Sequence, residues 1–289
     1  MDRAVSEVEK PEGQPSEERA WPAIGLGMTR GMENDAYHGD RSAVSSTQLK
    51  RMLISPAHFL SQLSDPEEST EAMQYGTVLH ARLLEPDTFN ERFYGMPSLD
   101  KRTKEGKAEF ERHNALARGR VVFPVNWMRG IERIVDNAML HRQVRSILSA
   151  GEAELAFAWI DRETGIKLKI KVDWMSNPTL LADVKSALDV TRDGFSKACA
   201  RLGYALSAHM YCDGVFQCTG EDPSWWFIAC EKDAPNTVAA YHASEGFMRR
   251  GQEMYRRALR RLAECRERGA FPMLQGAGEG EEIDLPRWA

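Results

Sequence analysis

The chain has 289 residues, 42% of them hydrophobic, with 38 Lys and Arg against 43 Asp and Glu for a formal net charge of −5. That length buries a real core, and no apolar run approaches the roughly 20 residues of a membrane-spanning helix. The first residues, MDRAVSEVEKPEGQPSEERAWP, have no apolar stretch of the secretory kind, so the expected compartment is the cytoplasm. Five scattered cysteines, Cys199, Cys212, Cys218, Cys230 and Cys265, contain no CxxC pair and argue against a disulfide framework, a zinc site or an iron–sulfur cluster. The acidic total leaves room for a local basic groove, so the distribution of charge matters more than its sum.

Residues 1–35 are rich in Glu, Pro, Gly and Ser without periodicity and read as a disordered or loosely ordered tail. Ser46 or Thr47 can cap a helix carrying Leu49, Met52 and Leu53, which Pro56 interrupts before a further turn at 57–63. Met73–Leu84 is a second helix, ended by Glu85-Pro86. Residues 99–120 read as a mobile loop or a solvated helix. Residues 125–150 are helical, with Ile131, Ile134, Val135 and Ala138 at helical spacing. Then the period changes. Glu154–Ile160 reads as a strand, 161–165 as a turn, and Ile166–Trp174 alternates: Ile166, Leu168, Ile170, Val172 and Trp174 on one face, Lys167, Lys169, Lys171 and Asp173 on the other. Thr179–Lys185 is a third strand. A helix over about 191–215, strands at 225–231 and 237–242, and an Arg-rich helix over 244–268 complete the order. The expected architecture is a single mixed α/β domain over 36–289, with its core at about 150–243.

Asp183 and Lys185 are two apart on a strand and share a face. Asp173 ends the preceding strand. Two carboxylates beside one ammonium suit Mg2+ or Mn2+, which can activate a water and stabilise charge on a phosphate. The lysine can orient or deprotonate that water, or hold the phosphate. The pattern D-(x)n-(D/E)-x-K is short and degenerate. Its context adds weight, because LLADVK is otherwise apolar and buried charges need a partner or a metal.

From about Tyr37 to Trp288 the sequence resembles the RecE-type exonucleases (the exonuclease VIII family) of the PD-(D/E)xK nuclease superfamily. The matching segments are YHGDRSAVSSTQL, SPAHF, GTVLHARLLEP, AELAFAWIDRETGI, KVDWM, ADVKSALD, YALSAHMYCDG and LPRWA. The resemblance implies a mixed central sheet flanked by helices with N-terminal helical additions. It implies metal binding by Asp173 and Asp183, completed by His80 and Glu154, with Lys185 as catalytic lysine and Tyr204 and Tyr211 as tyrosines of the following helix. It further implies a processive 5′→3′ double-strand DNA exonuclease of phage-type recombination that leaves 3′ overhangs, a ring-shaped homo-oligomer (trimer or tetramer), and a single-strand annealing protein as partner. Ser207 stands where the family commonly has Gln, Val172 where it has Pro, and Lys169 and Lys171 where it has Arg. Ser207 keeps open a catalytically weakened DNA-binding subunit. A structure-specific or single-strand nuclease on the same fold is the alternative enzyme.

Three lysines on alternate residues, Lys167, Lys169 and Lys171, share the face of Asp173 and read as a row that tracks DNA phosphates. Ser45, Ser46 and Arg51 are candidate 5′-phosphate ligands. The C-terminal helix sets eight arginines, Arg249, Arg250, Arg256, Arg257, Arg260, Arg261, Arg266 and Arg268, against Glu245, Glu253, Glu264 and Glu267. It suits a solvated face or subunit contact as well as DNA.

Overall fold

The computed structural model describes residues 23–64, 69–275, 280 and 282–285. The chain opens with strand β1 (Gly27–Thr29), the short helix α1 (Asn34–Gly39), α2 (Ser46–Ile54), α3 (Pro56–Ser64) and α4 (Glu71–Leu84). Ser45 caps α2: its hydroxyl accepts from Gln48 N while its own N–H donates to Gln48 Oε1 at 2.7 Å, one residue earlier than the sequence suggests. Next come α5 (Phe89–Arg92), β2 (Phe93–Met96), α6 (Lys104–Ala117) and β3 (Val121–Pro124), with β2 and β3 forming a small parallel pair. Thus 99–120 contains a helix, capped by Thr103. The helical stretch after it divides into α7 (Met128–Leu140) and α8 (Arg142–Leu148), because His141 is extended and caps α8 with its ring nitrogen.

The meander follows: β4 (Glu152–Ile160), β5 (Lys167–Asn177) and β6 (Leu180–Ala187), each antiparallel to the last. The single helix expected over 191–215 is two, α9 (Arg192–Arg201) and α10 (Tyr204–Thr219), because Gly203 sits at φ +64° between them. Such a left-handed residue ends one helix and re-aims the next. β7 (Ser224–Glu231), β8 (Val238–His242) and α11 (Glu245–Arg268) close the fold. The crossover through α9 and α10 makes β7 parallel to β6, as a parallel neighbour requires.

The six strands lie in the order β1-β4-β5-β6-β7-β8. One sheet face packs on α2, α10 and α11 through Leu155, Phe157, Leu168, Ile170, Val172, Trp225 and Phe227, against Leu206, Met210, Tyr255, Leu259 and Leu262. The other packs on α4, α7 and α8 through Ala182, Val184, Ile228 and Cys230, against Val78, Leu79, Ile131, Ile134 and Val144. α10 and α11 approach at backbone distance: a Cβ at Gly251 would fall 2.1 Å from Ala205 O.

The tail expectation is corrected over its second part. Residues 1–22 lie outside the described residues, but Ile24 is 2% exposed and β1 pairs with β4 through Gly27↔Ala158 to Thr29↔Ala156. Ile24 packs with Tyr37 and Ala43, and Asp40 Oδ2 accepts from its N–H. Three strand residues and one buried isoleucine are too short a signal to read by periodicity. Of the C-terminal LPRWA only Leu285 is among the described residues, and it is exposed. No helix among the described residues is long and apolar enough to cross a membrane.

Candidate active site

The register of the meander builds the site. Ala153 pairs with Trp174 and Leu155 with Val172, so Glu154 falls opposite Asp173. On the other side of β5, Trp174 pairs with Ala182 as the last pair of that ladder, so Asp173 and Asp183 each lie one residue past its end. Three acidic residues of three adjacent strands therefore form one row across the sheet. The ladder between β5 and β6 stops at this row. The Asp173 carboxylate takes over the next backbone position, with Oδ2 accepting from Val184 N at 2.9 Å. β6 continues its pairing with β7 to Ala187, so β5 and β6 part beyond Asp173 and Asp183. Glu154 has φ 57°, a left-handed backbone unusual for a residue with a Cβ and a common form of strain at functional positions.

α4 delivers His80 to this row. Its Nδ1 is 3.5 Å from Asp173 Oδ2, and one ligand atom each from His80, Glu154 and Asp173 lie within 4.8 Å of one another. Atoms around one ion at about 2.1 Å stand roughly 3–4 Å apart, so a small closure suffices. Two carboxylate oxygens and an imidazole nitrogen suit Mg2+ or Mn2+, the imidazole favouring Mn2+. These side chains line a cleft of about 210 Å3 with Asn34, Tyr37, Thr77, Arg92, Lys171 and Tyr211. Burial, with Asp183 and Glu154 adding and His80 and Lys185 opposing, pushes the Asp173 carboxyl up to about 6.

Asp183 is outside that triad. It is 7% exposed, and its Oδ1 accepts from Lys185 Nζ at 2.5 Å. Burial works against the Lys185 charge, but Asp183, Asp173 and Tyr204 outweigh it and hold its pKa above the ordinary lysine value. Lys185 is thereby held as an ammonium that donates to Asp183. Tyr204 and Tyr211 lie on one face of α10, seven residues apart. The Lys185 ammonium sits 5.4 Å from the Tyr204 ring centroid. Tyr211 stands edge-on to Trp225, shares a hydrogen bond with the Ser46 side chain, and has its pKa raised by burial first and then by Tyr37, Asp173 and Asp183. Ser207 lies between them, half-buried.

The lysine row is a correction. Lys167, Lys169 and Lys171 share one face of β5, which α1 and the segment around it cover, but the expected alternation does not carry through to residue 174: Trp174 packs on the α8 side and donates to Ile147 O, while Leu168, Ile170 and Val172 pack in the other core. Lys167 donates to Ile24 O and Ser42 Oγ. Lys169 is 3% exposed and donates to the carbonyls of Tyr37 and Asp40. Lys171 pairs with Glu154 at 2.7 Å and donates to Asn34 Oδ1. Mutual repulsion is thus relieved by protein acceptors rather than by a polyanion. Ser45 is likewise committed to its helix cap, Ser46 is buried against Tyr211, and Arg51 is half-buried on α2. On α11, Arg256 is tied to Asp161 and Arg260 to Glu163. Reading by residue type missed Lys50, whose ammonium lies 5.8 Å from the Tyr204 ring centroid. Its one signal was the four-residue spacing from Ser46.

Residues 45–284 match the family described as a PDDEXK-like domain of unknown function (DUF3799), and the chain belongs to that family. The protein is thus of the PD-(D/E)xK nuclease class. None of the curated proteins matches this sequence. Among solved structures, a protein from Eubacterium rectale named as a candidate exonuclease is similar at a TM-score of 0.54 and 16% identity, over 80% of this chain and 86% of that one. That likeness agrees with the fold. A phage-related exonuclease from Haemophilus somnus 129PT matches at a TM-score of 0.30 and 12% identity, over 79% and 96%.

Proposed function

We propose that this protein is a divalent-metal-dependent exodeoxyribonuclease that degrades linear duplex DNA from 5′ ends and leaves 3′ single-stranded overhangs. The observation that carries the hydrolytic reading is the row Glu154–Asp173–Asp183 with His80 and Lys185 at the parting of β5 and β6. The direction of degradation and the role in recombination or end resection rest on the resemblance to RecE-type exonucleases. A bound Mg2+ or Mn2+ supplies an activated water and neutralises charge on the reacting phosphate. His80, Glu154 and Asp173 would hold the ion, and Asp183 would be free to join them were Lys185 to turn toward substrate. Lys185 donates to a phosphate oxygen or to the attacking water. Its contact with Asp183 keeps it charged and aimed along the row. Tyr204 and Tyr211 wall the strand path on α10. The homo-oligomeric ring and the annealing partner belong to the same reading.

The test is digestion of linear duplex labelled at either 5′ or 3′ ends, in Mg2+, Mn2+ and EDTA, with circular duplex and single strands as controls. Metal-dependent loss of 5′ label first, with circles intact, is the expected result. Digestion that ignores EDTA, or that begins at 3′ ends, refutes the reading. Ser207 in the place of Gln favours one second reading, a DNA-binding subunit with weakened catalysis. Metal-dependent DNA binding without digestion identifies it.

A further inference from the structure

Lys50 is used by no element of the site described so far. It lies on α2 four residues after Ser46, so the two share a helix face. Ser46 meets Tyr211, and Lys50 meets Tyr204, two turns earlier on α10. α2 therefore runs along α10 from the metal cleft to the catalytic lysine, and Lys50 stands at the Lys185 end. Both ammonium groups lie over one ring, 5.8 Å for Lys50 and 5.4 Å for Lys185 from the Tyr204 centroid. The stem of Lys50 passes over Gly203, where a Cβ would sit 3.0 Å from Lys50 Cδ. The same glycine that turns α9 into α10 makes the space for this side chain.

The charge is poorly placed for stability. Among the described residues no hydrogen bond or ion pair fixes the Lys50 ammonium. Burial, with Lys185 as the next cause, brings its pKa down to about 8; Asp183 offsets this and Arg51 adds to it. Asp183, the nearby carboxylate, is already engaged by Lys185. A lysine that served packing alone would carry its head to solvent past its apolar stem. Here the head is half-buried, beside a second ammonium, at the edge of the reacting row. Two ammonium groups over one ring, with the nearby carboxylate Asp183 engaged by Lys185, leave the donors of Lys50 unmatched among the described residues, and two lysines over one aromatic ring suit a tetrahedral phosphate.

Resting on the nuclease reading above, we propose that Lys50 is a phosphate-binding residue of the active site, gripping with Lys185 one phosphate group of the DNA strand over the Tyr204 ring. The group is either an internucleotide phosphate beside the scissile one or the terminal 5′-phosphate.

The experiment compares the full-length wild type, Lys50→Met and Lys50→Arg. Thermal melting is followed without DNA. Binding to a duplex bearing either a 5′-phosphate or a 5′-hydroxyl is titrated in Ca2+ at several salt concentrations, and digestion is measured in Mg2+. Lys50→Met is expected to melt at or above the wild-type temperature, because it removes an unpaired charge beside Lys185. Its DNA affinity is expected to fall about eightfold at 0.1 M salt, with a salt slope reduced by about 0.9, the contribution of one phosphate contact. Lys50→Arg should keep the slope. A loss that affects both duplexes alike assigns the internucleotide phosphate. A loss confined to the 5′-phosphorylated duplex assigns the terminal one. Wild-type digestion with unchanged affinity and slope in Lys50→Met overturns the proposal and leaves the nuclease reading standing. A Lys50→Met protein that melts lower, with affinity and slope unchanged, assigns Lys50 to the fold and overturns it too. A wild type that binds no DNA overturns both.

Discussion

Lys169→Met separates the two meanings a buried lysine can have on a strand that leads to an active site. Lys169 is 3% exposed, donates to the carbonyls of Tyr37 and Asp40, and stands 4.8 Å from the Tyr37 ring centroid. Methionine fills much the same volume and donates nothing. Two buried carbonyls then lose a donor, at roughly 1–2 kcal/mol each. The relief of a desolvated ammonium offsets part of that, since burial already pulls the Lys169 pKa down. The net expectation is a loss of about 2–3 kcal/mol, which for a domain of this size lowers Tm by roughly 5–10 °C. The assay is thermal or urea unfolding, paired with DNA binding in Ca2+ across a salt series. The salt slope should stay at the wild-type value. A slope flattened by about 0.9 with stability unchanged would mean that Lys169 faces DNA, and the assignment of this side chain to the clamp under α1 would be wrong.

Three further outcomes follow from the site. Lys171→Gln frees Glu154 from a cation that competes with the metal, so calorimetric Mn2+ binding should tighten severalfold; weaker binding would show that Lys171 positions Glu154. Asp183→Asn should abolish digestion of linear duplex while the circular dichroism spectrum stays native, with Tm lowered because Lys185 loses the negative charge it is paired with; full digestion by a folded Asp183→Asn protein would remove Asp183 from the active site. Ser207→Gln, which restores the residue that the resemblance leads one to expect, should preserve or raise the digestion rate; a large loss would mean that α10 holds its substrate differently here.

The parts of the fold that the sequence made legible are those with a long, clean period. The alternation over Lys167–Trp174 and the apolar run before Lys185 located β5 and β6, and with them Asp173, Asp183 and Lys185. Helix boundaries held where a cap residue marks them, as at Ser244 before α11. Short or composite elements were not legible. β1 is three residues long, β2 and β3 four each, and Gly203 breaks a pattern whose apolar residues run on across it. Periodicity needs several turns or alternations to be heard, and a single left-handed residue leaves it almost unchanged.

The lysine row shows why the site was harder to read than the sheet. Period 2 established correctly that Lys167, Lys169 and Lys171 share a face, although the alternation breaks before Trp174, and a face is not a solvent boundary. What covers it is set by α1 and Ile24, more than 120 residues away in the chain, and their carbonyls and Asn34 are the acceptors that satisfy the three ammonium groups. Lys50 is the reverse case. It lies in a stretch whose serines and arginine drew attention, yet its significance comes from Tyr204, brought beside it by the turn at Gly203. In both cases the side chain's own chemistry was plain, and the deciding quantity was the partner supplied by a distant segment. Residues that carry the reacting row therefore announce themselves as charges inside an apolar strand. Whether an ammonium finds an internal acceptor is decided by the segments folded around it, and Lys50, which shares the Tyr204 ring with Lys185, has no hydrogen-bond acceptor among the described residues.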